Sequence, residues 1–150
     1  FEIPSFSNNS IKKISQKPKG YFADTGQICL SQMISSKDAI SSHPLYGSIF
    51  ENAVVCELKK QSLFMNVPPK FFHFRLHSGA ECDLILERDG KFFPIEIKSK
   101  TKITKKDARG IELFREYHKH LNVQKGLIIA PVDEKYPVTE NVFVIPWDSK

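Results

Sequence analysis

Cysteine is scarce, long apolar runs are missing, and no glycine-rich phosphate loop is present; each absence narrows what the chain can be. The three cysteines, Cys29, Cys56 and Cys82, are far apart and odd in number. That argues against a disulfide framework and against a cysteine-type zinc site, and it fits a reducing compartment. The simplest assignment is a cytoplasmic protein. No apolar run approaches the roughly 18 residues a membrane-spanning helix needs, and no basic start followed by an apolar stretch and a small-residue cleavage site opens the chain. The sequence starts at Phe1 rather than Met, as expected of a fragment of something longer. No Gly-x-x-x-x-Gly-Lys-Ser/Thr occurs, so any ATP site lies outside these residues. The histidines, His43, His73, His77, His118 and His120, lack metal-ligand spacing with an acid or a cysteine.

What is present suits one globular domain. The 150 residues are 41% apolar and 26% charged, enough to bury a core. The net charge of +5 leans only slightly towards nucleic acid. Its distribution says more: Lys98, Lys100, Lys102, Lys105, Lys106 and Arg109 crowd a stretch whose single acid is Asp107. On charge alone that stretch reads equally as a solvated loop or as a phosphate-contacting face.

Residues 1–20, rich in Ser, Asn and Lys, read as a lead-in or linker, and 21–150 as the folded domain. Tyr21-Phe22 suggests a short strand, 27–34 a short helix, and 35–42 a Ser-rich loop. From Leu45 to Leu63, Ile49, Phe50, Ala53, Val54 and Leu58 recur at helical steps, and Pro68-Pro69 blocks continuation. Three strands follow, Phe71–Leu76, Glu81–Arg88 and Lys91–Lys98, the last two joined by Asp89-Gly90, the sequence signature of a type I′ hairpin. Thr104-Lys105-Lys106-Asp107 has the layout of a capping box for a helix whose inner face carries Ala108, Ile111, Phe114, His118 and Leu121. Gly110 inside it hints at close packing. Gly126–Ala130 reads as a strand buried on both faces, and Val142–Ile145 as a last strand. A strand, a helix and a buried strand in that order imply a parallel crossover, hence an α/β fold with a mixed sheet flanked by helices.

The hairpin fixes register. With Asp89-Gly90 as the loop, Arg88 faces Lys91, Leu86 faces Phe93, Leu84 faces Ile95 and Asp83 faces Glu96, while Cys82 faces Ile97 on the other side of the sheet from the acids. Opposed carboxylates are destabilising, and a divalent cation such as Mg²⁺, which takes oxygen ligands, gives them a reason. Lys98, two residues beyond Glu96, points to the same face, where an ammonium can orient water and offset developing charge. The alternative is a salt-bridged surface strand in which Glu81 neutralises Lys98 and Asp83 is solvated.

Asp83 followed, after one hairpin, by Pro94-Ile95-Glu96-Ile97-Lys98 resembles the core motif of the PD-(D/E)XK nuclease superfamily. With Lys19–Gly26, Gly47–Asn52, Glu81–Leu84, Pro94–Ser99 and Phe74-Arg75, the chain is similar to the C-terminal domain of unknown function found behind an AAA-type ATPase module in many prokaryotic proteins. Cys82, where that family usually has valine, and Gln27, where it prefers leucine, are small departures. The resemblance implies a restriction-endonuclease-like fold and a Mg²⁺- or Mn²⁺-dependent phosphodiester hydrolase acting on nucleic acid, most simply DNA. It implies metal held by Asp83, Glu96 and the Ile97 carbonyl, with Lys98 positioning water. It also implies Glu51 as a further acid of the site. Helical spacing alone does not choose between Glu51 and Glu57. Phosphate contacts are implied at the start of the second helix, at Lys105, Lys106 and Arg109, with Lys100 and Lys102 in the same basic stretch. The alternative is a non-catalytic DNA- or protein-binding module of the same fold, controlled by a neighbouring ATPase part.

Overall fold

Asp89 and Gly90 both hold positive φ, 52° and 71°, the backbone a two-residue type I′ turn demands. The flanking strands pair as the alternation predicts, Arg88 with Lys91, Leu86 with Phe93 and Leu84 with Ile95. The structure, a computed structural model, describes residues 1–6, 17–76 and 78–148. In chain order its elements are β1 (Glu2–Ile3), β2 (Lys19–Gly20), α1 (Thr25–Ser31), α2 (Lys37–Ser42), α3 (Tyr46–Ser62), β3 (Lys70–Arg75), β4 (Glu81–Arg88) and β5 (Lys91–Ile97). A short 3-10 turn (Lys105–Ala108) then leads into α4 (Arg109–Tyr117), followed by β6 (Asn122–Val123), β7 (Gly126–Ala130), β8 (Tyr136–Pro137) and β9 (Val142–Pro146).

The main sheet runs β3-β4-β5-β7-β9-β8, with β6 beside β5. Its β3, β4 and β5 are antiparallel; β5, β7 and β9 are parallel. The fold is therefore α/β with a mixed sheet, and α4 is the crossover between the parallel neighbours β5 and β7. Helix α3 covers one face, where Phe50, Val54 and Val55 pack with Leu84, Ile95, Ile97 and Ile129. Helix α4 covers the other, where Ile111 and Phe114 pack with Cys82, Ile85, Ile128 and Val144. Being sandwiched explains why β7 is a continuous apolar run rather than an alternating one. Ile111 and Phe114 are fully buried, each contributing about 1.5–3 kcal/mol by removal from water.

The structure departs from the sequence reading in four places. Residues 1–6 and 17–20 are not a lead-in: β1 pairs with β2, Ile3 is 1% exposed, and along the edge of β3 the Phe6 N–H donates to the His73 carbonyl while the His73 N–H donates to the Pro4 carbonyl. Within the remainder of that stretch, 7–16 lie outside the described residues. The short strand is Lys19–Gly20 rather than Tyr21-Phe22, because the partner β1 is placed there. Part of the Ser-rich loop is helical, since Ser36 caps α2 by accepting from the Ala39 N–H at 3.2 Å, as a helix start requires. Helix α4 ends at Tyr117, so His118 and Leu121 lie past it, although His118 still packs on Phe114. The expected capping box forms, the Thr104 N–H donating to the Asp107 carboxylate at 2.8 Å, but it caps the 3-10 turn that precedes α4 rather than α4 itself. Among the described residues no helix is long and apolar enough to cross a membrane.

Candidate functional site

The position of Asp83 is set by a bulge. Phe72 pairs with Ile85 but Phe74 with Cys82, so Asp83 and Leu84 together oppose the single residue His73. A bulge of this kind re-aims side chains and slips the in-out alternation by one. Beyond it Cys82 falls in with Ile85 on the α4 face, while Leu84 belongs to the α3 face. This corrects the expected register at two points. Cys82 lies on the same face of the sheet as Glu96, not the opposite one, and the Asp83 side chain does not point straight out beside that of Glu96. Instead the Asp83 carboxylate turns into the seam between β4 and β5. Its Oδ2 accepts the Ile97 N–H at 2.9 Å, the donor that Cys82 would have used had the ladder continued. Its Oδ1 accepts from Lys19 Nζ at 3.2 Å.

Glu96 lies on the α4 face, alternating with Ile95 and Ile97, which point to α3. It is 5% exposed, its Oε1 accepts from Lys98 Nζ at 2.5 Å, and its Oε2 is buried with no hydrogen-bond partner. Burial first, and then the charge of Asp83, push the Glu96 carboxyl up to about 8. The two acids are thus electrostatic neighbours even though the bulge has turned them apart. Burial works to lower the Lys98 ammonium, but Glu96 and Asp83 outweigh it and hold it above its usual value. Gly110 of α4 closes the far wall: a Cβ there would lie 3.3 Å from Glu96 Oε2.

Glu51 reaches the same place from α3. Its Oε1 takes two donors, Lys19 Nζ at 2.7 Å and the Tyr21 hydroxyl at 2.6 Å. Burial pushes the Tyr21 phenol up, and Glu51 pushes it further. For Lys19, burial acts downward, but Asp83 and Glu51 together raise it well above the usual lysine range. Glu57, which spacing left as an equal candidate, is exposed and bonded to Gln61 at 3.0 Å, away from the cluster. Lys19 and Tyr21 belong to the site and periodicity does not flag them. Their stretch stands out in the sequence only as part of the resemblance.

A cleft of about 430 Å³ opens on the α4 side, lined among others by Glu81, Glu96, Lys98, Lys106 and Arg109. Of the five residues expected to contact phosphate, only Lys106 and Arg109 line it. Lys100 is paired with Asp107 at 2.8 Å, and Lys102 and Lys105 are exposed outside it. Among the described residues no three His, Cys, Asp or Glu side chains gather as a ready-made metal cage. The donors at hand are the Asp83 and Glu96 carboxylates and the backbone carbonyl of Ile97 at the end of β5. Hard oxygen donors of this kind suit Mg²⁺ or Mn²⁺. An orphaned, buried carboxylate oxygen at Glu96 is what such an ion would satisfy, so the residues fit.

The sequence profile of the family described as a domain of unknown function, DUF4143, matches residues 46–149. Two relatives, an uncharacterized protein of Mycobacterium bovis and one of Mycobacterium tuberculosis, are each 26% identical over 145 residues, covering 97% of this chain. The chain spans only 31% of the length of either relative. No solved structure matches the chain.

Proposed function

We propose that this chain, which belongs to the DUF4143 family, is a divalent-metal-dependent phosphodiester hydrolase of the PD-(D/E)XK, restriction-endonuclease-like type, acting on DNA. The observation that carries the reading is Glu96. A carboxylate almost wholly removed from water, with one oxygen orphaned and a second acid beside it, costs several kcal/mol unless something compensates it. A surface salt bridge gives no reason to bury it.

Asp83, Glu96 and the Ile97 carbonyl would hold the ion, which when bound supplies charge stabilisation at the phosphoryl oxygens and a more acidic water. The rest is done by this chain's own groups. Lys98, fixed by Glu96, presents an ammonium at the mouth of the cleft, where it orients water and offsets charge as it develops. Lys106 and Arg109, at the start of α4 and lining the cleft, would contact substrate phosphates, helped by the helix N-terminal dipole. Gly110 keeps the helix close enough for both. In the whole protein an AAA-type ATPase part, the partner that the family resemblance implies, would govern access to DNA.

The test is cleavage of single- and double-stranded DNA with Mg²⁺ or Mn²⁺. Asp83→Asn and Lys98→Ala are expected to lose roughly 100-fold or more of the rate while keeping the fold. No cleavage by the unmodified chain, or equal cleavage by Asp83→Asn, sinks the enzyme reading.

One observation favours a second reading. Lys19 and Lys98 already pair with three of the acids, so the cluster can be a structural network in a non-catalytic DNA- or protein-binding module. Calorimetry separates the two. Mn²⁺ binding lost in Glu96→Ala supports the hydrolase, whereas salt-sensitive DNA binding with no metal dependence supports the module.

A further inference from the structure

The three acids of the site are not equivalent in what already touches them. Glu51 Oε1 receives both the Lys19 ammonium and the Tyr21 hydroxyl. Asp83 receives Lys19 on one oxygen and the Ile97 N–H on the other. Glu96 receives Lys98 on one oxygen, and its other is the one buried carboxylate oxygen without a partner among the described residues. The need for a cation is therefore lopsided. Between Glu51 and Asp83 one ammonium serves both carboxylates; at Glu96 the Lys98 ammonium serves one oxygen and leaves the other bare.

Lys19 is also held where it stands. Its backbone lies in β2, paired with Ile3, which is itself buried in the core. Its side chain is about two-thirds covered, and its ammonium lies 5.9 Å from the centre of the Tyr21 ring. An exposed lysine on a flexible loop would exchange readily with a solvent ion. One anchored by a strand and two carboxylates competes with it, because an ammonium and a divalent ion want the same oxygens and repel each other at close range.

We infer that Lys19 is a built-in second cation, so that the acidic set takes one divalent ion, on the Asp83–Glu96 side, and Glu51 serves to hold Lys19 rather than to ligate metal. Two-metal phosphoryl-transfer sites need carboxylates shared between ions about 3.5–4 Å apart, and the carboxylate available for sharing, Asp83, spends one oxygen on the lysine. Lys19 and Glu51 are thus positioning residues. The inference rests on the metal-dependent reading above.

Titration calorimetry with Mn²⁺ on the whole chain tests it, with electron paramagnetic resonance counting bound ions. The unmodified protein and Lys19→Arg should each bind one Mn²⁺, and Lys19→Met should bind two. Glu51→Gln should still bind one ion, with at most the loss of affinity that an outer-shell partner causes, whereas Glu96→Ala, which removes a ligand, should bind none. Circular dichroism shows whether Lys19→Met is folded; where it is not, Glu51→Gln decides. Two ions in the unmodified protein, one ion in folded Lys19→Met, or no bound ion in folded Glu51→Gln overturns the inference while metal dependence survives. If no variant and no unmodified protein binds Mn²⁺, the metal reading itself fails, and the inference with it.

Discussion

Gly110 stands so close to Glu81 that a Cβ on it would lie 1.8 Å from the Glu81 carbonyl oxygen. That contact pins the first turn of α4 to the start of β4 and builds the wall of the cleft. The oxygen is backbone and carries β4 with it, so it cannot swing aside as a side chain would. Gly110→Ala gains up to about 1 kcal/mol of helix propensity but must push helix and strand apart, an overpacking cost of about 1–3 kcal/mol or more. The expected net is destabilisation, seen as a melting temperature lower by a few degrees, with weaker Mn²⁺ binding because Glu96 lies on the same contact. A melting temperature equal to or above that of the unmodified protein contradicts the close approach.

Phe6 ties the chain's first residues to the core. Its ring sits 5.1–5.5 Å, centroid to centroid, from Phe72, Phe92, Phe114 and His118, all edge-on, a favoured arrangement for aromatic pairs. Phe6→Ala should cost roughly 2–4 kcal/mol, somewhat under the range for a fully buried phenylalanine because this ring is half-buried. Chemical denaturation measures it. A loss below about 0.5 kcal/mol, the scale of an ordinary surface substitution, would restore the reading of this segment as a linker.

How far the sequence carries can be seen at three residues. Asp89 and Gly90 announce their turn, and local backbone chemistry delivered the strand pairing down to Leu84 and Ile95. Asp83 defeats the same counting one step further on. The bulge lies in the pairing of β4 with β3, where Asp83 and Leu84 oppose His73, and no pattern within the β4–β5 hairpin records that. Lys19 was invisible for a related reason. A two-residue strand has no periodicity, and its meaning comes from Glu51 and Asp83, 32 and 64 positions later in the numbering. Residues fixed by neighbours in sequence were legible; those fixed by partners from other elements were not.

On the proposed reading, position relative to the cleft separates the basic residues of 98–109. Lys106 and Arg109 line it, Lys100 is neutralised by Asp107, and Lys102 and Lys105 face solvent away from it. Lys106→Ala and Arg109→Ala should each weaken DNA binding and flatten the dependence of log K on log salt by about 0.9, one phosphate contact apiece. Lys102→Ala and Lys105→Ala should leave that slope unchanged. Fluorescence anisotropy across a salt series reads all four. Equal effects at all of them would mean that a diffuse basic surface, not the cleft, meets the nucleic acid.

Glu96 makes the metal-free protein sensitive to pH in a definite direction. Its ordinary value is 4.5, and burial together with Asp83 lifts it to about 8 in the folded state. Between those values the folded protein keeps the proton and the unfolded chain has lost it, so folding takes up a proton. Stability is therefore greatest below about 4.5 as far as this group is concerned, and falls as pH rises through the window to about 8. The size is on the order of a few kcal/mol. Glu96→Gln, neutral throughout, should remove that slope and be the more stable protein at pH 8 without metal. Mg²⁺ or Mn²⁺ should reverse the trend, since the ion takes the deprotonated carboxylate and binds better as pH rises. Denaturant melts at pH 5, 6.5 and 8, with and without the ion, measure both limbs. A Glu96→Gln variant whose metal-free stability falls with pH as steeply as that of the unmodified protein would place the titrating group elsewhere and remove the buried acid as the reason for a metal.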